Sequence, residues 1–598
     1  MFGLGVNRLG RLNSSTQAFT PASLFNNGEA GVWYDPSSIN TLYQDSSGAT
    51  PVTAVGEPVG LMLDKSEGLA QGPELVTNGD FATDSDWAIA GAAAASNISN
   101  NVAYIESGGA NAYLTQQLTG LVAGKSYQIS FNLISKVGAG IAYLRVAGLD
   151  VAATSLYGLV GEQSYIFIAG SGSQELRFMT YALATSSFTI DNVSVTEIQG
   201  SHATQATSTK RPIYARHPEG GIRNLLNYTE QFDNGYWYKQ NATITSNSIL
   251  APDGSTTAET LTCPSTGANS FVSRGNIGVV GGGYTATVYA KAGTNDIIRI
   301  ANVSSPSNGC WYNLTSGAVG TSNGAANTAA IEDVGNGWYR LTRYFDSFLS
   351  GGNQVVIASC VADGSTSGPS AGETIYIWGA QFEEATEASN YQKVVADIDV
   401  TESGVGEVYY LKFDGVDDAM SINNLTSSST PITALFGYSA TNVTARAKFL
   451  LDIESGRTIF APSANTAGYV GYYSAGLNWS EFNADAAAIK VLTYDLAEDD
   501  AKIRIDGTQE YSDTTYDQQA ISGDIALFSA YWGANYLAGN MYQTILRAAE
   551  STDEEIAKAE TYVANKTGLK AQVDGIATLD LNFGNNTYTA KNSNGGVI

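Results

Sequence analysis

Apolar and polar residues alternate along most of this chain in runs of strand length. In SYQISFNLI at 126–134, Tyr127, Ile129 and Phe131 point to one side and polar residues lie between them. A period of two residues is the pattern of a half-buried β-strand. Glycine, proline, serine and asparagine interrupt these runs at short intervals, which indicates turns between the strands. The pattern therefore predicts an all-β protein.

One segment near the C-terminus has a different periodicity. Residues 552–566 repeat apolar side chains at helical spacing, and Thr552 and Glu555 have the spacing of a capping box. Gly568 follows, and glycine commonly ends a helix. We therefore expect one short helix at this end of the chain and strands elsewhere.

The strand runs form three modules, as expected for 598 residues, which exceed the size of one hydrophobic core. The first module, at 72–200, and the second, at 224–399, open and close with corresponding motifs, which indicates a diverged duplication. The third module, at 400–570, includes the predicted helix. The remaining segments are an extended N-terminal arm at 1–30, a unit at 31–71, a linker at 201–223 and a polar tail at 571–598.

Charge and composition exclude several classes of function. The net charge is -27, with Lys+Arg 30 against Asp+Glu 57, and such a surface repels nucleic-acid phosphates and anionic lipids. The chain has 2 histidines and 3 scattered cysteines, which argues against a His- or Cys-ligated metal centre and against Ser/His chemistry. We therefore expect a binding protein rather than an enzyme.

The N-terminal sequence MFGLGVNRLGRLNSS lacks the apolar core of a secretory signal peptide. No segment of the sequence reaches the roughly 18 apolar residues of a membrane span. The sequence thus combines a composition typical of extracellular β proteins with no export signal.

The stretch LKFDGVDDAM at 411–420 gathers three aspartates and raises the question of a metal or catalytic site. Aspartate and glycine cluster in tight turns for purely local reasons. Neighbouring turn aspartates also share one wet environment, which does not separate their pKa values as acid–base catalysis requires. We therefore predict a turn in which Asp417 and Asp418 solvate the bend or cap backbone N–H groups.

Exposed aromatic rings are the natural candidates for sugar binding, because a ring buries the apolar face of a sugar. The clusters Tyr236-Trp237-Tyr238 and Tyr531-Trp532 are the best candidates, since neighbouring strand residues cannot all face inward. Trp338 and Trp378 lie in alternating patterns and are predicted to be buried. The first module is poorer in candidates, with Trp87, Tyr104 and Tyr113. The predicted carbohydrate-binding residues are Tyr236, Trp237, Tyr238, Trp311, Tyr472, Tyr473, Trp479, Tyr531 and Trp532.

With NGDF near its start and IDNVSV in its last strand, the first module resembles the jelly-roll carbohydrate-binding modules found beside glycoside hydrolases. The resemblance implies a β-sandwich and a structural calcium ligated by Asp191. Ala82 stands where the family usually has a glutamate, so Asp80 is the candidate second ligand and needs a different backbone turn to reach the calcium. The second module, with LLNYTEQFDNGYW and YIWGAQFE, resembles the related sandwich of phage tail and virion proteins. There Trp378 and Gly379 replace Asp191 and Asn192, so the resemblance implies no calcium.

The third module resembles laminin-G-like or concanavalin-A-like sandwiches through LKFDGVDDAMSI, IRIDGTQ and STDEEIAKAETYVANKTGLK. The segments GVWYDPS…VGLMLDKS and HATQATSTKRPIYARHPEGG resemble stretches that precede such a domain in phage virion proteins. This broken order favours one discontinuous unit into which both jelly rolls are inserted. A plain string of domains joined by linkers is the alternative.

These resemblances imply a bacteriophage virion fibre or spike subunit, made in the host cytoplasm, that displays β-sandwich modules to bind host surface glycans. The alternatives are a structural decoration or connector protein that binds only other virion subunits, and a capsule-degrading enzyme. We expect docking on other virion proteins through residues 1–30 and a homo-oligomer, with a trimer favoured, since repetition strengthens weak sugar binding.

Overall fold

The computed structural model describes residues 19–568, 578–582 and 587–591, apart from internal segments. The described residues form two compact units, one of 57–213 and 410–568 with the N-terminal part up to 53, the other of 214–409 with 54–56. Strands dominate both units, which confirms the predicted all-β class. The internal residues that the structure does not describe are 70, 92–94, 139–140, 142, 147–148, 153–159, 173, 182–185, 276, 278–281, 303–304, 324–327, 347–353, 424, 426–430, 441–448, 454–456, 461–468, 474–479, 484–489, 498–499, 515–522 and 530–535.

The N-terminal segment is packed onto the protein from residue 19 onward. Its elements are a 3₁₀-helix at Pro21–Phe25, strand β1 (Gly31–Tyr34), a 3₁₀-helix at Ile39–Thr41, and strands β2 (Leu42–Tyr43) and β3 (Leu61–Met62). Leu24 and Phe25 are only 2% and 4% exposed and share an apolar cluster with Ala559 and Val563. The prediction of an extended arm over 1–30 is therefore wrong for its second part, because these apolar side chains cover a core. Residues 1–18 lie outside the described residues.

The first jelly roll is a sandwich of two antiparallel sheets. Its strands are β4 (Gln71–Glu74), β5 (Ala88–Ala90), β6 (Asn97–Ser99), β7 (Val102–Glu106), β8 (Ala112–Gln117), β9 (Ser126–Val137), β10 (Tyr143–Val146), β11 (Leu149–Ala152), β12 (Gly161–Ile168), β13 (Glu175–Thr180) and β14 (Ser187–Ile198). One sheet has the order β11-β10-β13-β8-β5, and the other has the order β12-β9-β14-β7-β6 with β4 beside β14. The apolar positions of these strands, such as Leu114, Phe131 and Phe178, form the core.

The second jelly roll follows two short strands, β15 (Ala203–Thr204) and β16 (Ile213–Pro218), with a 3₁₀-helix at Ser208–Lys210 between them. Its strands are β17 (Tyr238–Gln240), β18 (Thr243–Ile249), β19 (Ala258–Thr262), β20 (Ser270–Gly275), β21 (Tyr284–Ala292), β22 (Ile297–Asn302), β23 (Ser305–Asn313), β24 (Ala318–Ser322), β25 (Ala329–Gly335), β26 (Trp338–Phe345), β27 (Gln354–Ser359) and β28 (Thr374–Glu383). They form two sheets, β17-β20-β27-β22-β23-β24 and β18-β19-β28-β21-β26-β25. Val288, Ile300 and Leu341 lie in the core between them. The hairpin β29 (Gln392–Ala396) and β30 (Asp399–Glu402) completes this unit.

The third sandwich contains the strands that follow and the helix α1 (Asp553–Thr567). Its strands are β31 (Glu407–Asp414), β32 (Met420–Ile422), β33 (Ile432–Ala440), β34 (Phe449–Ile453), β35 (Arg457–Phe460), β36 (Tyr469–Tyr473), β37 (Ser480–Asn483), β38 (Lys490–Ala497), β39 (Asp500–Ile505), β40 (Thr508–Asp513), β41 (Ile525–Leu527) and β42 (Ala538–Arg547). One sheet contains β31-β42-β33-β38-β39-β40, and the other has the order β2-β3-β15-β32-β41-β34-β35-β36-β37. In the C-terminal tail, β43 (Thr578–Asn582) pairs with β44 (Thr587–Lys591).

Three stretches that are far apart in sequence share the sheets of the third sandwich. Strand β1 pairs with β42, with Trp33 opposite Ile545. Strand β15 lies between β3 and β32, with Ala203 opposite both Met62 and Ile422. A sandwich built from separate stretches of the chain requires this pairing. The chain leaves the sandwich after β3, forms the first jelly roll and returns to the sandwich at β15.

Asp35 joins the first and the last of these stretches through hydrogen bonds. Its carboxylate, only 1% exposed, accepts from Lys65 Nζ at 2.8 Å and from Gln543 Nε2 at 2.6 Å. Burial alone raises the pKa of a carboxyl, but here the charges of Lys65 and Lys566 outweigh it and lower the pKa of Asp35 to about 2. Lys566 lies on α1 with its Nζ 3.8 Å from Asp35 Oδ2, so this one side chain contacts groups from three separate segments.

The predicted helix and its capping box are confirmed. Helix α1 begins after Thr552, whose Oγ1 accepts from Glu555 N at 3.2 Å while Thr552 N donates to Glu555 Oε2 at 2.8 Å. It ends at Gly568, whose φ of 73° is in the left-handed region that favours glycine. Among the described residues, no helix is both long and apolar enough to cross a membrane.

Candidate functional site

Two tryptophans predicted to bind sugar are instead buried in the second jelly roll. Trp237 is 2% exposed and Trp311 is 1% exposed. Each indole N–H has a backbone partner, since Trp237 Nε1 donates to Tyr228 O at 3.0 Å and Trp311 Nε1 donates to Ser365 O at 2.6 Å. A satisfied N–H removes the main cost of burying an indole. Neither ring has a face available to a sugar, which corrects the prediction for these two residues.

The two tyrosines beside Trp237 differ in exposure. Tyr236 is half-buried, and the Arg274 guanidinium lies 4.1 Å from its ring centroid. Tyr238 is 59% exposed and has Phe271 beside it, with the ring centroids 6.3 Å apart. Of the predicted cluster, only Tyr238 therefore presents most of its ring to solvent.

The predicted residues of the third sandwich fall where the structure describes little. Tyr472 and Tyr473 lie in β36, but their side chains are outside the described part. Trp479, Tyr531 and Trp532 lie outside the described residues. Their role in carbohydrate binding stays a prediction.

The middle of the outward face of the sheet that contains Trp311 is buried, although Tyr238 on the edge strand β17 is exposed. Its side chains form an apolar cluster of their own, in which Val356 is 1% exposed, Ala301 0% and Ala358 6%. Trp338 and Trp378, predicted to be buried, are 1% and 4% exposed and lie in another cluster of the same module. In the second jelly roll most of the large rings thus serve packing.

The first jelly roll presents a different outward face on its sheet β11-β10-β13-β8-β5. Strands β8, β13 and β10 alternate buried residues with partly exposed ones, as in β8, where Leu114 is buried and Tyr113 is half-buried. The partly exposed side chains carry aromatic and polar groups. We name this surface the tyrosine–arginine face, and it consists of Tyr113, Thr115, Gln117, Tyr143, Arg145, Glu175, Arg177 and Met179.

Strand register arranges this face in rows. Met179 on the central strand β13 lies opposite Tyr113 on one side and Tyr143 on the other. Neighbouring strands are about 4.8 Å apart, so the two tyrosines stand roughly 10 Å apart. The next row places Arg177 on β13 opposite Arg145 on β10. The face thus has an aromatic row beside a row of hydrogen-bonding groups.

Contacts within the face hold its side chains in place. The Arg177 guanidinium lies 5.0 Å from the Tyr113 ring centroid, and its Nη2 lies 2.5 Å from Glu175 Oε1. The ring of Tyr181 contacts Tyr143 edge-on, with centroids 5.6 Å apart. A guanidinium that both stacks on a ring and pairs with a carboxylate is fixed in orientation.

An open groove of about 510 Å³ adjoins this face at Thr115 and Gln117. Trp87 lines it and is half-buried, with its Nε1 donating to Asn78 O at 3.0 Å. Gln116 closes the bottom, since its Nε2 donates to Thr77 O at 2.7 Å. Sequence reasoning rated this module poor because it counted rings, whereas the usable signal was the polar half of the strand alternation.

Asp191 and Asp80, the predicted calcium ligands, each contact nearby backbone. Asp191 Oδ1 accepts from Asn192 N at 2.7 Å, and Asp80 Oδ1 accepts from Ala82 N at 3.3 Å. The opening and closing strands are joined by Glu74, whose Oε1 accepts from Val195 N at 2.8 Å. Calcium binding at Asp191 stays a prediction.

The three aspartates of the 411–420 stretch do form a turn. Their carboxylates lie within 4.8 Å of one another, but Asp414 Oδ1 accepts from Val416 N at 2.8 Å and from Asp417 N at 3.2 Å. Asp418 Oδ2 accepts from Asp414 N at 2.9 Å, and burial raises the pKa of Asp418 to about 6. The turn prediction is confirmed, with Asp414 doing the capping that was expected of Asp417.

No protein-family model matches this chain, and no curated protein matches it either. Among solved structures, domain 4 of AbnA, an extracellular GH43 arabinanase from Geobacillus stearothermophilus in complex with arabinotriose, is 11% identical over 30% of this chain and 84% of that one, with a TM-score of 0.22. The botulinum neurotoxin serotype D binding domain is 12% identical over 29% of this chain and 44% of that one, with a TM-score of 0.21. The CBM22-1-CBM22-2 tandem domain of Paenibacillus barcinonensis Xyn10C is 12% identical over 53% and 98%, with a TM-score of 0.19. Likeness at this level carries no argument about what the chain binds.

Proposed function

We propose that this protein binds glycans through the tyrosine–arginine face of its first jelly roll. The observation that carries the proposal is the register that places Tyr113 and Tyr143 on one row of an open sheet face, with Arg177 and Arg145 on the next. Tyrosine rings bury the apolar faces of sugars. Guanidinium, carboxylate and amide groups in the adjacent rows supply donors and acceptors for sugar hydroxyls.

The side chains of this face are already held in place, which favours binding of a glycan whose repeated units each make weak contacts. Each side chain that must be immobilised costs about 0.5–1.5 kcal/mol of binding free energy. Arg177 is already held by Tyr113 and Glu175, so little of that cost remains. The separation of the two tyrosines, roughly 10 Å, suits contact with two different units of an extended glycan.

We further propose that the protein is a bacteriophage fibre or spike subunit, that it is not an enzyme, and that it attaches virions to host glycans as a trimer. The resemblance of the second module and of the segments GVWYDPS…VGLMLDKS and HATQATSTKRPIYARHPEGG to phage virion proteins supports this. Multiple copies convert a weak sugar site into a strong attachment. Because residues 19–30 pack on the sandwich, the proposed docking on other virion proteins uses residues 1–18. Deleting only these residues should abolish incorporation into virions and leave the sandwiches folded.

A glycan array with the full-length protein tests the binding proposal. Tyr113→Ala and Tyr143→Ala should each weaken binding to the best array glycan by about tenfold, which is roughly 1.4 kcal/mol. Tyr104→Ala is the matched control, because Tyr104 lies on the outward face of the other sheet of the same module. Equal binding by all three variants would contradict the proposal.

A further inference from the structure

A polar pocket of about 300 Å³ lies at the edge of the second jelly roll. Its walls are the segment 228–234, residues 246–247 of β18, residues of and beside β19, and residues 393–395 of β29. Of its thirteen lining residues, only Val394 and Val395 are aliphatic. The pocket therefore differs from the tyrosine–arginine face, because it is enclosed by hydrogen-bonding groups rather than floored by rings.

A pair of carboxyl groups lies in the pocket. Glu259 is 1% exposed, and its Oε2 accepts from Asp233 N at 3.1 Å. Burial, reinforced by the charge of Asp233 and a hydrogen bond between the two carboxyls, raises the pKa of Glu259 to about 8. Glu259 is therefore mostly protonated at pH 7, and a protonated carboxyl donates as well as accepts.

An ion pair on another wall is held from several sides. Lys393 Nζ lies 2.7 Å from Glu230 Oε2, and Glu230 is 6% exposed. Tyr391 Oη donates to Glu230 Oε1 at 3.3 Å and lies 2.7 Å from Thr229 Oγ1. These charges cancel each other, so Asp233 is left as the main net charge of the pocket wall.

We propose that this pocket binds a single uncharged sugar residue, or a polyol of similar size, through hydrogen bonds. Its volume is at the lower end of the roughly 300–1,000 Å³ of ligand sites, which suits one ring rather than a chain. Asp233 repels acidic ligands, and an apolar ligand leaves the polar walls without partners. Lys393 pairs with Glu230 and Glu259 keeps its proton, so one net negative charge remains, which is fewer than the several carboxylates that usually hold a divalent cation. The site is separate from the proposed function and does not depend on it.

The test uses glucose, galactose and N-acetylglucosamine as probes, with saturation-transfer NMR and calorimetry on the full-length protein. At least one should bind, and Ser246→Trp should weaken it more than about tenfold, because an indole at this exposed rim position fills the pocket. Thr245→Trp is the matched control, because Thr245 is adjacent to Ser246 and exposed but does not line the pocket. No binding by any of the three sugars, or equal binding by both variants, overturns the proposal.

A second pair of variants tests the hydrogen bonding of Glu259 in the pocket. Sugar binding by the unaltered protein should fall as the pH rises past 8, because Glu259 then loses its proton. Glu259→Gln retains the size and a donor, so its sugar binding should stay within about threefold at pH 7 and should not show this fall. Glu259→Ala should lose about tenfold. If calcium chloride instead binds and excludes the sugar, the pocket is a cation site and the proposal is wrong. The two proposals fail independently. Unchanged array binding by Tyr113→Ala would contradict the proposed function, and unchanged binding of free sugars by Ser246→Trp would contradict the pocket.

Discussion

The outward sheet faces of the two jelly rolls have opposite character although the modules follow one plan. In the first, Tyr113, Arg177 and Tyr143 lie partly exposed on an open face. In the second, Trp311 and Val356 occupy the corresponding kind of position and are buried, each 1% exposed. The two sandwiches thus differ in how far the outward faces of their sheets are covered. An aromatic-rich module is therefore not the better candidate for a binding site.

Replacing one aromatic residue of each face by alanine should show the largest difference in stability between the two faces. Trp311→Ala should destabilise the second jelly roll by about 3–5 kcal/mol, because it empties a buried indole site and leaves Ser365 O without its donor. Tyr113→Ala should change the unfolding free energy of the first jelly roll by less than about 1 kcal/mol, as for a partly exposed position. Chemical denaturation of the full-length variants measures both. A small loss of unfolding free energy in Trp311→Ala would mean that the outward face of the second jelly roll is open around Trp311.

The pH dependence of stability should also distinguish the modules. The folded-state pKa of Glu259, about 8, lies above its ordinary value, so its contribution is fully present at low pH and is lost as the pH rises through 8. The unfolding free energy of the second jelly roll should fall by roughly 2 kcal/mol between pH 6 and 8. Glu259→Gln should remove this fall. A wild-type stability that is flat over this range would contradict the buried neutral carboxyl.

A charge-conserving change sharpens the account of the first face. Arg177→Lys should weaken glycan binding by about three- to tenfold, because lysine keeps the charge but loses the planar group that stacks on Tyr113. Lys125→Ala is the control, since Lys125, just before β9, lies 2.5 Å from Glu197 on β14 of the other sheet. Titration with the best array glycan measures both variants. Full binding by Arg177→Lys would show that charge alone matters.

Local patterns predicted much of the fold. Strand alternation gave the all-β class, and the Thr552–Glu555 capping box gave the helix α1, because both depend on neighbouring residues. The turn at Asp414 was predicted for the same reason, and so was the cap by Asp418, although the caps by Asp414 were not. Asp35 had no such signal, since its partners Lys65 and Gln543 are distant in sequence.

The site was harder to predict, because exposure depends on what covers a sheet. Alternation places Trp311 and Tyr113 equally on outward faces, yet only one is covered. Trp237 was judged exposed because Tyr236 and Tyr238 flank it, but its indole reaches Tyr228 O from inside the core. The buried Glu259 was overlooked because a single acid in a strand has no motif of its own.

A crystal structure of the full-length protein with the best array glycan tests the central claim most directly. We expect the ligand on the first jelly roll, with sugar rings against Tyr113 and Tyr143 and a hydroxyl hydrogen-bonded to Arg177. A glycan bound instead beside Tyr238, or on the third sandwich with the tyrosine–arginine face bare, would contradict the account.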